Sequence, residues 1–263
     1  MDNSQATAET LLGARRAGRS LAAFPGPLPR TLAAAYAVQE RMLDALAVRP
    51  VGWKIGLIAP ERSKTLGADR LVGPIGRVFE VGSDDAVRVP LIAGGFAAVE
   101  AELALLISRD IPARSEPFAA SELADYVSDM RIAAEIAGSP LATIVALGPT
   151  AVVADHGNNL SVVLGQSVAN WRTRSLQSLV CKASIDNTVI GSGSAEKVPG
   201  GPLAALSFLV QNLAWRGRAL KKGDWVSTGA MTGVHSVAPG MLATLNFGSH
   251  GRLSVSFTAH LQD

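Results

Sequence analysis

The stretch VEAELALLI, Val99 to Ile107, carries two glutamates, Glu100 and Glu102, in an otherwise apolar run. Read as a strand, it points alternate side chains to one side, so both carboxylates share a face. Val99, Ala101, Leu103 and Leu105 fill the other face, and Ala104 and Leu106 leave the carboxylates little polar company. Two carboxylates in a partly buried place stay ionised together only if a cation sits between them; otherwise one takes a proton. A hard divalent ion that prefers oxygen ligands, Mg²⁺ or Mn²⁺, meets that condition. A wet strand face on which two glutamates do nothing is the competing reading, and this segment alone does not choose between them.

Outward from this strand the texture changes. Upstream, from Val51, short apolar runs are punctuated by glycine and proline (GWKIGL, GPIG, AVRVPLIAGG), as in strands and turns. Before that, Ala6 to Ala17 and Thr31 to Leu46 have helical spacing, separated by Pro25, Pro27 and Pro29. Downstream, Ala120 to about Ala137 follows Pro117 and reads as a helix, with Ser121 as N-cap and Glu122 in its first turn. Strands are predicted at Ala142 to Leu147, Ala151 to Ala154, Leu160 to Leu164 and Leu179 to Ile190, then a helix from Pro202 to Arg216. Three strand-like runs close the chain: Asp224 to Thr228, Met241 to Phe247 and Arg252 to His260. In the last, Leu253, Val255 and Phe257 alternate with polar residues, the mark of a half-buried strand. Strands of the second half do not alternate regularly with helices, which argues against a doubly wound parallel sheet. The reading is a helical N-terminal part packed on a mixed or antiparallel β core.

Composition removes several classes of function. The chain has 263 residues, 48% of them hydrophobic, enough to bury a full core. Its net charge is +2 and its 24 lysines and arginines are scattered, which leaves no footprint for nucleic acid or an anionic membrane. A single cysteine, Cys181, rules out an internal disulfide and a cysteine-rich zinc site. The N-terminus has early acids and no long apolar run, unlike a signal peptide, and no stretch approaches the ~20 apolar residues of a membrane span. A cytoplasmic location is the expectation. GxGxxG, GxxxxGK[ST] and GxSxG are all absent from the sequence.

Other positions bear chemistry. Glu135 stands among apolar neighbours in MRIAAEIAG, where an unpaired buried carboxylate costs several kcal/mol. It is either a salt-bridged surface residue or, with Glu100 and Glu102, the third member of a set fit for one divalent ion. Lys54, in VGWKIGL, is bracketed by Gly52 and Gly56, where the backbone is able to approach a ligand closely; a lysine on a wet strand face is the alternative. VADHGNNL, Val153 to Leu160, reads as a loop between two strands that presents amides or simply turns. His156 beside Asp155 is poor geometry for a catalytic dyad, and His235, His250 and His260 have no metal spacing. STGAMTGVHSVAPG, Ser227 to Gly240, reads as a long loop of small residues.

Taken in order, these pieces resemble the 2-keto-4-pentenoate hydratase / 4-oxalocrotonate decarboxylase group of the fumarylacetoacetate hydrolase superfamily. The resemblance runs through AAYAVQ (Ala34 to Gln39), GWKIGL, VEAELALLI, RDIP (Arg109 to Pro112) and AAEI with Glu135. It continues through VAD before VVLG (Val162 to Gly165), LKKGDWVSTGA (Leu220 to Ala230) and FGSHGRLSVSF. It implies an α+β fold in which the helical part, 1–50, packs on a mixed β-sheet roll, 51–263, as a single domain over 1–263. It implies that Glu100, Glu102 and Glu135 hold Mg²⁺ or Mn²⁺ and that Lys54 lies beside the substrate. There, metal repulsion and desolvation would both disfavour the charged lysine.

The implied activity is that of a hydro-lyase acting on a short 2-hydroxydienoate or 2-oxo-enoate acid, such as 2-hydroxypenta-2,4-dienoate, to give a 4-hydroxy-2-oxo acid. Decarboxylation of a 4-oxalocrotonate-like diacid, acylpyruvate hydrolysis and a non-catalytic partner subunit are the alternatives. The expected partner is a small 2-oxo acid, with no nucleic acid or membrane, and the expected assembly is a homo-oligomer. The chain departs from the group's pattern after Glu135, where E-I-V-D-S-R is usual and EIAGSP stands. It departs again at Ile58-Ala59 and at HGNN, where polar and serine-rich residues are usual.

Overall fold

The computed structural model describes residues 3–81, 86–114 and 116–259. The first half contains α1 (Asn3–Arg16), α2 (Leu32–Asp44), β1 (Gly52–Leu57), α3 (Pro60–Leu66), β2 (Arg70–Ile75), β3 (Val78–Glu80), β4 (Val87–Leu91) and β5 (Phe96–Ile107). Next come α4 (Ala120–Ala124), β6 (Val127–Ser139), α5 (Ile144–Leu147), α6 (Pro149–Ala154), β7 (Asn159–Ser167), β8 (Val180–Ile185) and β9 (Thr188–Ser194). The chain closes with α7 (Gly201–Trp215), β10 (Trp225–Ser227), β11 (Val234–Ser236), β12 (Leu242–Asn246) and β13 (Arg252–Ala259).

The spine is the long antiparallel pair β5·β6, in register from Phe96 opposite Ser139 to Leu106 opposite Asp129. The larger sheet runs β2-β1-β10-β5-β6-β7-β3, and β11 also pairs with β5. Its β1·β10 and β3·β7 pairings are parallel and the others antiparallel, so the sheet is mixed. Ile75 of β2 packs with Ala104 of β5, Ala133 of β6 and Val162 and Leu164 of β7. Residues so far apart in strand order meet only if the sheet curls, and this small apolar group lines its inner face. The second sheet runs β4-β13-β12-β8-β9, with Leu253, Val255 and Phe257 buried in the main core.

The expected α+β class, helices on a mixed sheet, is what the structure has. Helix α2 is tied to the sheet by polar bonds as well as burial. The Val72 N–H donates to the Tyr36 hydroxyl at 2.9 Å, and the Gln39 amide donates to the carbonyls of Val72 and Val153 at 3.0 and 2.8 Å.

Several sequence expectations are corrected. The helix expected over Ala120 to Ala137 stops at Ala124, and its N-cap is Ala119, not Ser121; the Ala119 N–H donates to Glu122 at 2.7 Å. From Val127 the chain is strand β6. Its alanines invite a helical reading, but a central strand covered on both faces is also a near-continuous apolar run, and pairing with β5 and β7 decides the case. The strands expected at Ala142 to Leu147 and Ala151 to Ala154 are the helices α5 and α6, with Pro149 starting the second. Short apolar runs carry no periodicity that separates the two states. VADHGNNL accordingly joins a helix to a strand. Leu179 to Ile190 is broken by Asp186 and Asn187, both at positive φ (47° and 65°), into the hairpin β8–β9. The loop Ser227 to Gly240 contains the short strand β11. His260 lies outside the described residues.

Candidate metal centre and active-site cavity

β5 is covered on both faces, so its glutamates are carried inside the protein: Glu102 is fully buried and Glu100 is 8% exposed. The β5·β6 register sets Glu100 directly opposite Glu135, itself fully buried. Oxygens of Glu100, Glu102 and Glu135 lie within 4.8 Å of one another. β1 brings in Lys54, which pairs across to Ser227 of β10, while Ser227 sits opposite Ala104 of β5. The Lys54 ammonium stands 3.3 Å from Glu135 Oε1. All four predicted site residues therefore meet on one face of the curled sheet.

Two of the three carboxylates, Glu102 and Glu135, are half anchored and half free. The Ser227 hydroxyl and the Gly229 N–H (2.9 Å) donate to Glu102 Oε2, leaving Oε1 without a partner. Asn159 Nδ2 donates to Glu135 Oε1 at 2.9 Å, leaving Oε2 without a partner. Burial and the charge of Glu135 push the Glu100 carboxyl up to about 7, against the pull of Lys54. Burial, Glu135 and Glu100 raise the Glu102 carboxyl well above the usual range. Burial works to lower the Lys54 ammonium, yet the charges of Glu135, Glu100 and Glu102 outweigh it and the net direction is up. The expected disfavouring of the charged lysine does not hold for the protein by itself. Three crowded carboxylates, two of them with an unpartnered buried oxygen, form an all-oxygen donor set suited to a hard divalent ion.

The turn 156–158 closes over this group. His156, Gly157 and Asn158 have φ of 54°, 64° and 51°, a strained left-handed run of the kind found near functional sites. It packs flat on β2 because Gly73 and Gly157 lack Cβ atoms; one on Gly73 would lie 2.3 Å from the His156 carbonyl oxygen. Behind the turn, Arg15 of α1 donates to Asp155 Oδ1 and to the carbonyls of Asn159 (2.8 Å), Gly138 (2.9 Å) and Asp155 (2.9 Å). The Ser139 hydroxyl donates to the other Asp155 oxygen at 2.6 Å. Asn159 lies in a loop that the sequence marks as amide-bearing, and Ser227 in one marked by small residues. Nothing in the local sequence marks Arg15, because its acceptors come from residues more than a hundred positions away.

A cavity of about 820 Å³ opens above the cluster, with Lys54 and Glu100 among its lining residues. Of the positions that depart from the group's pattern, Ala59 and Asn158 line it, while Ile58, Gly138 and Pro140 do not.

A buried acidic cluster on a curled mixed sheet, floored with a lysine and open to a cavity, defines a class of small-molecule enzyme site. Residues 78–261 match the family model described as fumarylacetoacetate (FAA) hydrolase C-terminal. A 2-keto-4-pentenoate hydratase of Burkholderia vietnamiensis (strain G4) is 30% identical over 264 residues, covering 98% of each chain. The 4-oxalocrotonate decarboxylase of Pseudomonas putida G7, solved with magnesium and adipate, shares the fold at a TM-score of 0.81, with 23% identity and 97% of each chain covered. A fumarylpyruvate hydrolase of Pseudomonas aeruginosa, solved with Mn²⁺ and pyruvate, matches at a TM-score of 0.56 and 15% identity, over 81% of this chain and 91% of that one. The chain belongs to the fumarylacetoacetate hydrolase family, a family of enzymes. Among the described residues no helix is long and apolar enough to cross a membrane.

Proposed function

We propose that this chain is a divalent-metal-dependent hydro-lyase acting on a short 2-hydroxydienoate or 2-oxo-enoate acid, of which 2-hydroxypenta-2,4-dienoate is the type. The observation that carries the reading is the meeting of Glu100, Glu102 and Glu135 within 4.8 Å at a cavity that Glu100 and Lys54 line. Hydratases among its sequence relatives, and metal-bound structures that share its fold, support the same direction. We read it as a cytoplasmic homo-oligomer.

In this reading Glu100, Glu102 and Glu135 would hold Mg²⁺ or Mn²⁺, the last two through the buried oxygens that the protein leaves unpartnered. A bound divalent ion supplies a chelation point for two adjacent oxygens of a 2-oxo acid and stabilises negative charge at C2. Ser227 and Gly229 fix the Glu102 carboxylate and Asn159 fixes that of Glu135, so neither has to reorganise when ligand arrives. Lys54, kept charged by its three carboxylate neighbours, pairs with the substrate carboxylate or delivers a proton as the dienol tautomerises. The apolar lining, including Leu71, Val152 and Met231, limits water to what the addition uses.

The test is loss of dienoate absorbance with purified protein in Mn²⁺ or Mg²⁺, beside carbon dioxide release from 4-oxalocrotonate. Metal-dependent absorbance loss is the expected result. Carbon dioxide release alone would move the assignment to a decarboxylase, and turnover unaffected by a chelator would end the metal reading.

A further inference from the structure

We propose that Asn158 contacts the substrate: its carboxamide holds the oxygen that is added at C4 of the 2-oxo acid, and so selects 4-hydroxy-2-oxo acids over acids that lack the hydroxyl. This deepens the hydro-lyase reading and rests on the 2-oxo head sitting at the glutamate cluster. Asn158 lines the same cavity as Lys54 and Glu100 and is only 7% exposed. Among the described residues its carboxamide has no hydrogen-bond partner. Buried amides in proteins nearly always find one. His156 Nε2 and Asn159 Oδ1 also lack partners, but both are sealed inside the protein, whereas the Asn158 carboxamide keeps an opening to the cavity. The partner it lacks is therefore one that the cavity admits.

The backbone fixes where this amide stands. Asn158 has φ +51°, a conformation asparagine adopts more readily than most residues, and its N–H donates to the Asp155 carbonyl at 2.8 Å. Its two chain neighbours both reach the site. A Cβ on Gly157 would lie 3.5 Å from Lys54 Cδ, and Asn159 donates to the same Glu135 oxygen that the Lys54 ammonium touches. Consecutive Cα atoms are about 3.8 Å apart, so Asn158 stands within one residue of the Lys54–Glu135 pair.

The chemistry of its partner follows. The substrate carboxylate and C2 oxygen are provided for by charged groups, Lys54 and the ion that the glutamates would hold. An uncharged carboxamide donates and accepts at once and does not titrate, which matches water or a hydroxyl. In the hydration, the water oxygen bonds to C4, the C3=C4 electron pair shifts toward C2, and C3 then takes a proton; water is consumed and nothing is oxidised or reduced. Asn158 orients that water and keeps hold of the product hydroxyl, taking no part in the proton transfer.

The experiment is calorimetric binding of two acids of equal length, 4-hydroxy-2-oxopentanoate and 2-oxopentanoate, to the Mn²⁺-loaded protein. The hydroxy acid is expected to bind about fivefold tighter, the reach of one net hydrogen bond. Asn158→Gly keeps the left-handed turn and removes the amide, so it should bring the two affinities to within about twofold of each other. Its affinities for Mn²⁺ and for 2-oxopentanoate should move less than about twofold, which also shows that the variant is folded. Equal affinity for the two acids in the wild type, or equal weakening of both in the variant, overturns the role of Asn158 while leaving the metal-centred reading intact. If neither acid binds better with Mn²⁺ than without it, the reading of the head site fails first and that of Asn158 with it.

Discussion

Glu100 and Glu135 face each other as direct cross-strand partners in the β5·β6 ladder, both buried. Like charges directly opposite in an antiparallel pair destabilise it. Here the repulsion is built into the two longest strands, and Glu102 is added beside it. Lys54 offsets one negative charge, and a divalent ion would offset the other two. Replacing Glu102 by Gln is therefore expected to weaken Mn²⁺ binding by about 100-fold or more while the fold is kept. A Mn²⁺ titration checks this; unchanged affinity would remove Glu102 from the ligand set.

Proton competition gives the pH dependence. The Glu100 carboxyl, ordinarily near 4.5, is raised to about 7 in the folded metal-free protein. Its folded value lies above its unfolded one, so protonation stabilises the metal-free fold below about 4.5, and this contribution is lost as pH rises through about 7. Mn²⁺ binding should accordingly release protons and tighten between pH 6 and 8. The metal-induced rise in melting temperature should be larger at pH 8 than at pH 6. A shift independent of pH would contradict the raised carboxyl.

Chelation predicts a ligand rule. Oxalate and pyruvate should compete with substrate only when Mn²⁺ or Mg²⁺ is present, and acetate should compete poorly. If acetate competed as well as oxalate, two adjacent oxygens would not be what the site reads.

Lys54→Met removes the ammonium but keeps the length and apolar stem of the side chain. Turnover on a confirmed substrate should fall by about 10²–10⁴-fold, the usual reach of a positioned acid or base. Mn²⁺ affinity should hold or rise, because the three carboxylates lose a competing cation. Near wild-type turnover would leave Lys54 only a charge-balancing role.

Arg15 ties α1 to the segment that positions Asn159. Arg15→Met strands the fully buried Asp155 without its cation, a loss of about 3–5 kcal/mol for a broken buried pair. Urea denaturation measures it. A loss below about 1 kcal/mol would mean that Asp155 finds other partners or takes a proton.

The periodicity of Val99–Ile107 by itself determined that two carboxylates share one strand face, because alternation along a strand is a local property; that this face is buried and in need of a counter-cation was decided by the sheet around it. The N-terminal helices, α7 and the closing strand were legible for the same reason: each shows one apolar face with its own period. The state of Val127–Ser139 was not legible. Alanine and isoleucine in unbroken series suit a buried strand as well as a helix, and on a helix Glu135 would have no register with Glu100. Only the pairing of β6 between β5 and β7 made it a strand and set the third carboxylate opposite the first. Arg15 likewise acquires meaning from neighbours far away in sequence. Hydrogen bonds and ion pairs act over a few ångströms of space, and which residues come within that distance is decided by the tertiary fold.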